Sequence, residues 1–204
     1  MSLHVFGNII TSFGTAANNR AETEGNITTL QKVIWFGHPH TTVSAEAIRF
    51  ALRRILAANE NINRSWNEQE NCNIWKDHQF AGWAKVDGDT FIDDDLLGFM
   101  TAEAAKEEGK GSANVRRAVL EITRAISLTP WSGDVTFNAA SPGATPSAQR
   151  KGTNPVPYGT EVHATRYHYG FALTPHRLRK RSRPAKAVSA ICALGTVAVN
   201  HGRF

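Results

Sequence analysis

Apolar and polar positions change period several times along this chain, and each change marks a candidate element. His4-Val5-Phe6-Gly7-Asn8-Ile9-Ile10 is short and rich in β-formers, which predicts a first strand. From Thr11 to Asn26 no apolar period survives; Gly14, Asn18, Asn19, Arg20, Glu22, Glu24 and Gly25 read as a long loop, a feature usually functional or disordered inside a compact domain. Thr28 to Phe36 turns apolar and β-branched and predicts a second strand. A loop, Gly37-His38-Pro39-His40-Thr41-Thr42, then leads into the clearest helix of the first half. Ser44 is its expected N-cap, Glu46 puts a negative charge in the first turn, and Ile48, Leu52, Ile55 and Leu56 recur at helical spacing. Arg49, Arg53 and Arg54 make the other side of that helix cationic.

Beyond the helix the pattern loosens. Asn59 to Asn73 is polar, while Ile74 to Lys85 brings Trp75, Phe80 and Trp83, the makings of a small aromatic core within an insertion. Asp87-Gly88-Asp89 is a turn signal, and Phe91 to Met100 runs acidic then apolar, followed by a Lys/Glu/Gly-rich linker to Gly111. Val115 to Leu128 is strand or short helix. Trp131 to Gly159 holds most of the turn formers and cannot be helical, with Arg150-Lys151 at its middle like the tip of an arm. Val162 to Leu173 alternates as a strand does, with Val162, Ala164, Arg166 and His168 on one face and His163, Thr165, Tyr167 and Tyr169 on the other. A basic run, Arg177 to Lys186, precedes an apolar stretch from Ala187 to Val199 that predicts a closing helix. No internal repeat is visible.

Length and charge narrow the picture. The 204 residues suit one domain, or one domain with an elaborate insertion, and the 41% apolar and 20% charged shares are those of a globular chain. No apolar run approaches the roughly 18 residues a membrane span needs, and Met1-Ser2-Leu3-His4 opens no export signal, so the expected location is the cytoplasm, with no membrane partner. Cys72 and Cys192, far apart in unlike contexts, read as reduced thiols. The net charge of +5 hides a polarised chain: residues 1–109 carry nine Lys/Arg against fifteen Asp/Glu, and residues 110–186 carry thirteen against three. Such a distribution points to a polyanionic partner for one surface.

Catalytic motifs are scarce. His38 and His40, and likewise His163 and His168, lack the spacing of a zinc helix, and two distant cysteines add little, so no metal site and no cofactor are expected. Asp93-Asp94-Asp95 is the sharper temptation, since clustered carboxylates hold Mg²⁺ in phosphodiester cleavage. On an extended chain consecutive side chains point to alternate faces, and helix capping or pairing with a basic patch of a neighbouring subunit explains the triplet as well. No nucleophile triad, phosphate-binding glycine loop or deaminase pattern occurs. The chain reads as non-catalytic, with dispersed cations suited to the phosphates of a strand.

Two stretches, Asn18-Asn19-Arg20-Ala21-Glu22-Thr23-Glu24-Gly25-Asn26-Ile27-Thr28-Thr29-Leu30-Gln31-Lys32 and Thr42-Val43-Ser44-Ala45-Glu46-Ala47-Ile48-Arg49, resemble the CRISPR-associated backbone-subunit family of Cascade complexes, in its DevR autoregulator (type I-B) branch. Ile92 to Met100, Phe137 to Ala144, Tyr158 to Thr165 and the closing Asn200-His201-Gly202-Arg203-Phe204 are similar to the same branch, so the resemblance spans nearly the whole chain. It implies an α+β hand: an RNA-recognition-motif (ferredoxin-like) palm from residues 1–58, 112–132 and 160–204, a finger insertion over 59–111 and a thumb over 133–159. It further implies a non-catalytic subunit that oligomerises in a helical filament along crRNA, beside other Cascade subunits, and presents the guide to target DNA as a heteroduplex. The implied RNA contacts are Asn18, Arg20, Lys32, Ser44, Arg49, Arg53 and Arg166 in the palm and Arg150 and Lys151 in the thumb. Most relatives of this kind continue well past a motif such as Asn200 to Phe204, a departure of this sequence from the family pattern. Two alternatives stay open: a metal-dependent ribonuclease using Asp93 to Asp95 on guide-paired RNA, and a DNA-binding autoregulator.

Overall fold

A computed structural model describes residues 3–17, 23–67, 69–70, 72–102, 113–142, 156–195 and 197, and shows a mixed α/β protein. In chain order the strands are β1 (Val5–Ile10), β2 (Gly14–Ala17), β3 (Thr23–Glu24), β4 (Ile27–Thr28), β5 (Lys32–Trp35), β6 (His38–Val43), β7 (Arg64–Asn67), β8 (Cys72–Trp75), β9 (Phe99–Ala102), β10 (Ala113–Arg116), β11 (Leu120–Ile122), β12 (Ala125–Ser127), β13 (Val135–Ala140), β14 (Val156–Thr165) and β15 (Tyr167–Leu173). The helices are α1 (Ala45–Ala57), α2 (Ile92–Leu97) and α3 (Arg183–Cys192), with short 3-10 turns at Ala81–Ala84 and Pro175–Arg177. Two compact units divide the chain, one from residues 1–7, 49–123 and 170–194, the other from 8–48, 124–169 and 195–204.

In the second unit β12 is hydrogen-bonded on both sides, Ile126 facing Thr42 of β6 and His168 of β15, and β5 continues the ladder from β6. A second sheet runs β13-β14-β4-β3, with β2 on β14. Here the structure departs from the sequence reading. Thr11 to Asn26 is not a plain loop, because Gly14–Ala17 pairs antiparallel with Thr165 to Val162, and Thr23–Glu24 pairs with β4. His38 and His40 belong to a strand, not a loop: Phe36 and Gly37, with φ of 47° and 81°, make the two-residue turn joining β5 to β6. The β14–β15 alternation is as expected, and Glu161, His163, Thr165, Tyr167 and Tyr169 share the buried face.

The first unit holds its core around α1 and α2. Leu52 and Leu56 of α1, Ile92, Leu96 and Leu97 of α2, and Leu120 and Leu173 are all buried, each contributing about 1.5–3 kcal/mol by leaving water. Phe80 stacks on Phe99 with ring centroids 3.8 Å apart and meets Trp75 edge-on, so the expected aromatic cluster forms and recruits a residue from β9. The acidic triplet is helical rather than extended. Gly98, at φ 71°, ends α2 by donating its N–H to the Asp94 carbonyl. Val115 to Leu128 resolves into the strands β10, β11 and β12, and the closing helix starts earlier than the apolar pattern predicted, inside the basic run, with Pro184 in its first turn.

Candidate nucleic-acid interface

Helix α1 begins as the sequence predicted. Ser44 Oγ accepts the Ala47 N–H at 3.2 Å, an N-cap bond that uses a lone pair of the hydroxyl and not its hydrogen. One turn on, in the first unit, Arg49 and Arg53 lie four residues apart and therefore on one helix face. The Arg49 guanidinium donates to the Leu97 carbonyl at the end of α2, and its Nε is buried without a partner among the described residues. Arg53 is only 8% exposed; its Nε sits 3.7 Å from Asp93 and makes no hydrogen bond among the described residues.

Arg64, at the start of β7, completes a cluster of three guanidinium groups, its own lying over the Trp75 ring at 5.4 Å. Burial, then the Arg64 charge, lower the Arg53 pKa to about 10 against the opposing pull of Asp93. Burial and Arg49 lower Arg64 as well. The opposing carboxylates are poorly placed to cancel three cations. Asp93 already accepts the backbone N–H groups of Asn63 at 2.8 Å and Arg64 at 3.1 Å. Asp94 has the Asn63 side-chain amide at 2.9 Å, and burial, reinforced by Asp93, raises its pKa to about 7. The cluster thus holds three guanidinium groups against the two carboxyls Asp93 and Asp94. Arg64 escaped the sequence reading, since nothing in its spacing from α1 links it to Arg49 and Arg53.

The rest of the triplet works differently. Asp95, fully buried, accepts Arg183 Nη1 at 2.6 Å, Arg116 Nη2 at 2.5 Å and the Arg179 backbone N–H at 3.0 Å. Arg183 also donates to Glu60 at 2.5 Å and to Thr90 Oγ1 at 2.9 Å. Burial pushes the Glu60 carboxyl up, but hydrogen bonds from Arg183 and Lys186 outweigh it and hold the group at about 2. The Arg116 and Arg179 guanidinium carbons lie 4.2 and 4.7 Å from the Trp83 ring centre, and Arg179 donates to the carbonyls of Trp83, Lys85 and Val86. Arg116, Arg179, Arg183 and Lys186 of the basic second half therefore neutralise and organise their own chain. The structure also supplies the partner of Asp95, basic residues of the same chain rather than of a neighbouring subunit.

In the second unit Lys32 Nζ lies 2.5 Å from Glu161 and 3.8 Å from the centre of the Trp131 ring, while Glu161 also accepts the Leu30 N–H at 2.6 Å. Its charge is largely matched inside the fold. Arg166 is exposed at the junction of β14 and β15 and donates to the Thr11 carbonyl at 3.1 Å. Asn18, Arg20, Arg150 and Lys151 lie outside the described residues, as does the motif Asn200 to Phe204. The four histidines weighed for metal binding serve hydrogen bonds instead where they are buried: His40 Nδ1 donates to the Ser127 carbonyl at 2.7 Å, and His163 Nδ1 shares a 2.8 Å bond with Thr41 Oγ1. Thr41 Oγ1 lies 2.7 Å from the Tyr167 hydroxyl, so Tyr167 belongs to the core. Among the described residues no group of three His, Cys, Asp or Glu side chains is arranged to hold a metal ion, and no helix is long and apolar enough to cross a membrane.

Fold and site define a mixed α/β protein with a part-buried cluster of arginines on α1 and β7. Residues 10–189 match the family described as CRISPR-associated negative auto-regulator DevR/Csa2. The CRISPR-associated protein Cas7/Cst2/DevR of Myxococcus xanthus (strain DK1622) is 66% identical over 206 residues, covering 100% of this chain and 68% of the relative. The chain belongs to the DevR/Csa2 family of CRISPR-associated proteins. Its fold resembles a chain of a CRISPR RNA-guided surveillance complex with a TM-score of 0.52 at 15% identity, covering 96% of this chain and 62% of that one. It also resembles a chain of a pre-nicking CRISPR RNA-guided surveillance complex, with a TM-score of 0.54 at 13% identity over 97% of this chain and 73% of the other. This chain therefore spans less than two thirds of the first of these structural relatives.

Proposed function

We propose that this chain is a non-catalytic backbone subunit of a cytoplasmic type I-B Cascade complex. Copies assemble head to tail in a helical filament along crRNA with other Cascade subunits, leaving the guide bases free to pair with target DNA. Membership of the DevR/Csa2 family and likeness to chains of RNA-guided surveillance complexes support the reading. In this proposal residues 1–58, 112–132 and 160–204 form an RNA-recognition-motif palm, 59–111 the fingers and 133–159 the thumb.

The observation that carries the proposal within this chain is the cluster of Arg49, Arg53 and Arg64, three guanidinium groups with an incomplete set of counter-charges. A backbone phosphate completes that set without reading a base, as a guide-holding protein requires. Lys32, Ser44 and Arg166, with Asn18, Arg20, Arg150 and Lys151, are the further proposed contacts. For Lys32, binding means sharing or exchanging its partner Glu161.

The test is titration of single-stranded RNA at several salt concentrations. Replacing Arg53 and Arg64 by alanine weakens binding and flattens the salt dependence on log axes by about 0.7 for each phosphate no longer neutralised. Affinity and slope unchanged from the parent protein overturn the assignment. A parallel titration with duplex promoter DNA separates this reading from the autoregulator, for which duplex binds better than RNA. Incubation of the assembled complex with complementary RNA and Mg²⁺ addresses the ribonuclease alternative, in which regularly spaced cuts appear. That alternative draws little support from the triplet itself, since Asp93, Asp94 and Asp95 are all buried and all hydrogen-bonded within the chain.

A further inference from the structure

Asn63 ties the two carboxyls beside the arginine cluster to Asp77. Almost fully buried, it donates its backbone N–H to Asp93 at 2.8 Å and its side-chain amide to Asp94 at 2.9 Å and to the Asp77 carbonyl at 2.8 Å, and it takes the Asp77 N–H on its side-chain oxygen at 2.8 Å. Two adjacent carboxyls of α2 are thereby held against one residue and beside Arg53. Their surroundings are unequal. Asp93 has two backbone donors and the Arg53 ion pair, whereas the Asp94 side chain has the Asn63 amide as its sole hydrogen-bond donor among the described residues. A buried carboxylate with so few donors, next to a like charge, gains by taking up a proton.

We infer that Asp94 is a proton-linked regulator of the arginine cluster, so that binding of an RNA phosphate there is accompanied by proton uptake at Asp94. This rests on the proposed role of Arg49, Arg53 and Arg64 in gripping RNA. The charged groups acting on Asp94 come from each neighbouring element: Asp93 on its own helix and Asp77 after β8 favour the protonated form, and Arg53 on α1 favours the ionised one. An incoming phosphate adds negative charge and engages Arg53, weakening an attraction that, after the Asn63 hydrogen bond, favours ionised Asp94. Linkage makes the effect reciprocal: the protonated protein binds phosphate more tightly. Since Asp94 titrates at about 7, the effect falls at physiological pH.

The experiment uses the full chain and an oligoadenylate, whose bases do not titrate between pH 6 and 8.5. Affinity at constant ionic strength falls about five- to tenfold across that range, and Asp94→Asn binds with the tighter, low-pH affinity throughout. Calorimetry of the parent protein in two buffers of different ionisation enthalpy supplies a readout independent of that variant, and shows net proton uptake on binding near pH 7. A slope that persists in Asp94→Asn, or binding with no proton uptake, overturns the inference while leaving RNA binding intact. Absence of oligoadenylate binding at every pH overturns the underlying assignment and the inference together.

Discussion

Arg183 and Asp95 meet at 2.6 Å with both side chains fully buried. The pair joins the start of α3 to the middle of α2, and Glu60, Arg116 and Thr90 complete its hydrogen bonds. Breaking a buried pair leaves an uncompensated charge, so Arg183→Met is expected to cost about 3–5 kcal/mol. Urea denaturation of the two proteins measures it. A loss below about 1 kcal/mol shows that the network stabilises nothing.

Stability is expected to depend on pH at both ends of the mild range. Asp94 is raised from the ordinary 3.8 to about 7, so the unfolded chain releases its proton first, and stability declines as pH rises from about 4 to 7. The decline is on the order of 3 kcal/mol, since a tenfold difference in proton affinity between folded and unfolded chain is worth about 1.4 kcal/mol and solvent screening takes part of the total away. Glu60 is lowered from 4.5 to about 2, so its contribution is complete above about 4.5 and disappears as pH falls through 2. Thermal melts between pH 3 and 8 test both limbs. Asp94→Asn flattens the upper limb alone, and Glu60→Gln the lower alone; the opposite pattern refutes the assignment.

Gly98 closes α2 with a positive φ, and a Cβ there would lie 2.4 Å from the Arg116 carbonyl oxygen. Both the backbone conformation and the space exclude a side chain. Gly98→Ala is expected to destabilise by more than about 1 kcal/mol, read as a drop in the denaturation midpoint.

Phe36 is 88% exposed and holds a φ of 47° in the β5–β6 turn, a conformation costly for a bulky residue. Asparagine suits that turn, particularly before Gly37. Phe36→Asn should therefore raise stability by roughly 0.5–1 kcal/mol, despite losing the stack of Phe36 on Trp35. A lower melting temperature indicates that the ring stack outweighs the backbone strain.

Legibility followed the range of the interactions. Helix α1, its Ser44 cap and the alternation through β14 and β15 were readable because local periodicity and capping determine them. The strands β2 and β3 were not: Gly14–Ala17 has no apolar pattern and is a strand only because β14 supplies its partner from far along the chain, Ala164 facing Thr15. The acidic triplet looked extended in isolation and is helical because Leu96, Leu97 and Ile92 bury together. Family membership was legible from motifs. The arginine cluster was only partly so: two members share a helix face, while Arg64 joins them through the tertiary fold.

The Arg183–Asp95–Glu60 network has a consequence for any truncation of the C-terminal region. A run of arginines and lysines invites removal as a nucleic-acid tail, yet here residues 179–186 act as a keystone for segments more than 80 positions earlier. Deleting them would dismantle the support of α2, so a lost affinity in such a shortened protein would report collapse of the architecture rather than a missing grip on the strand.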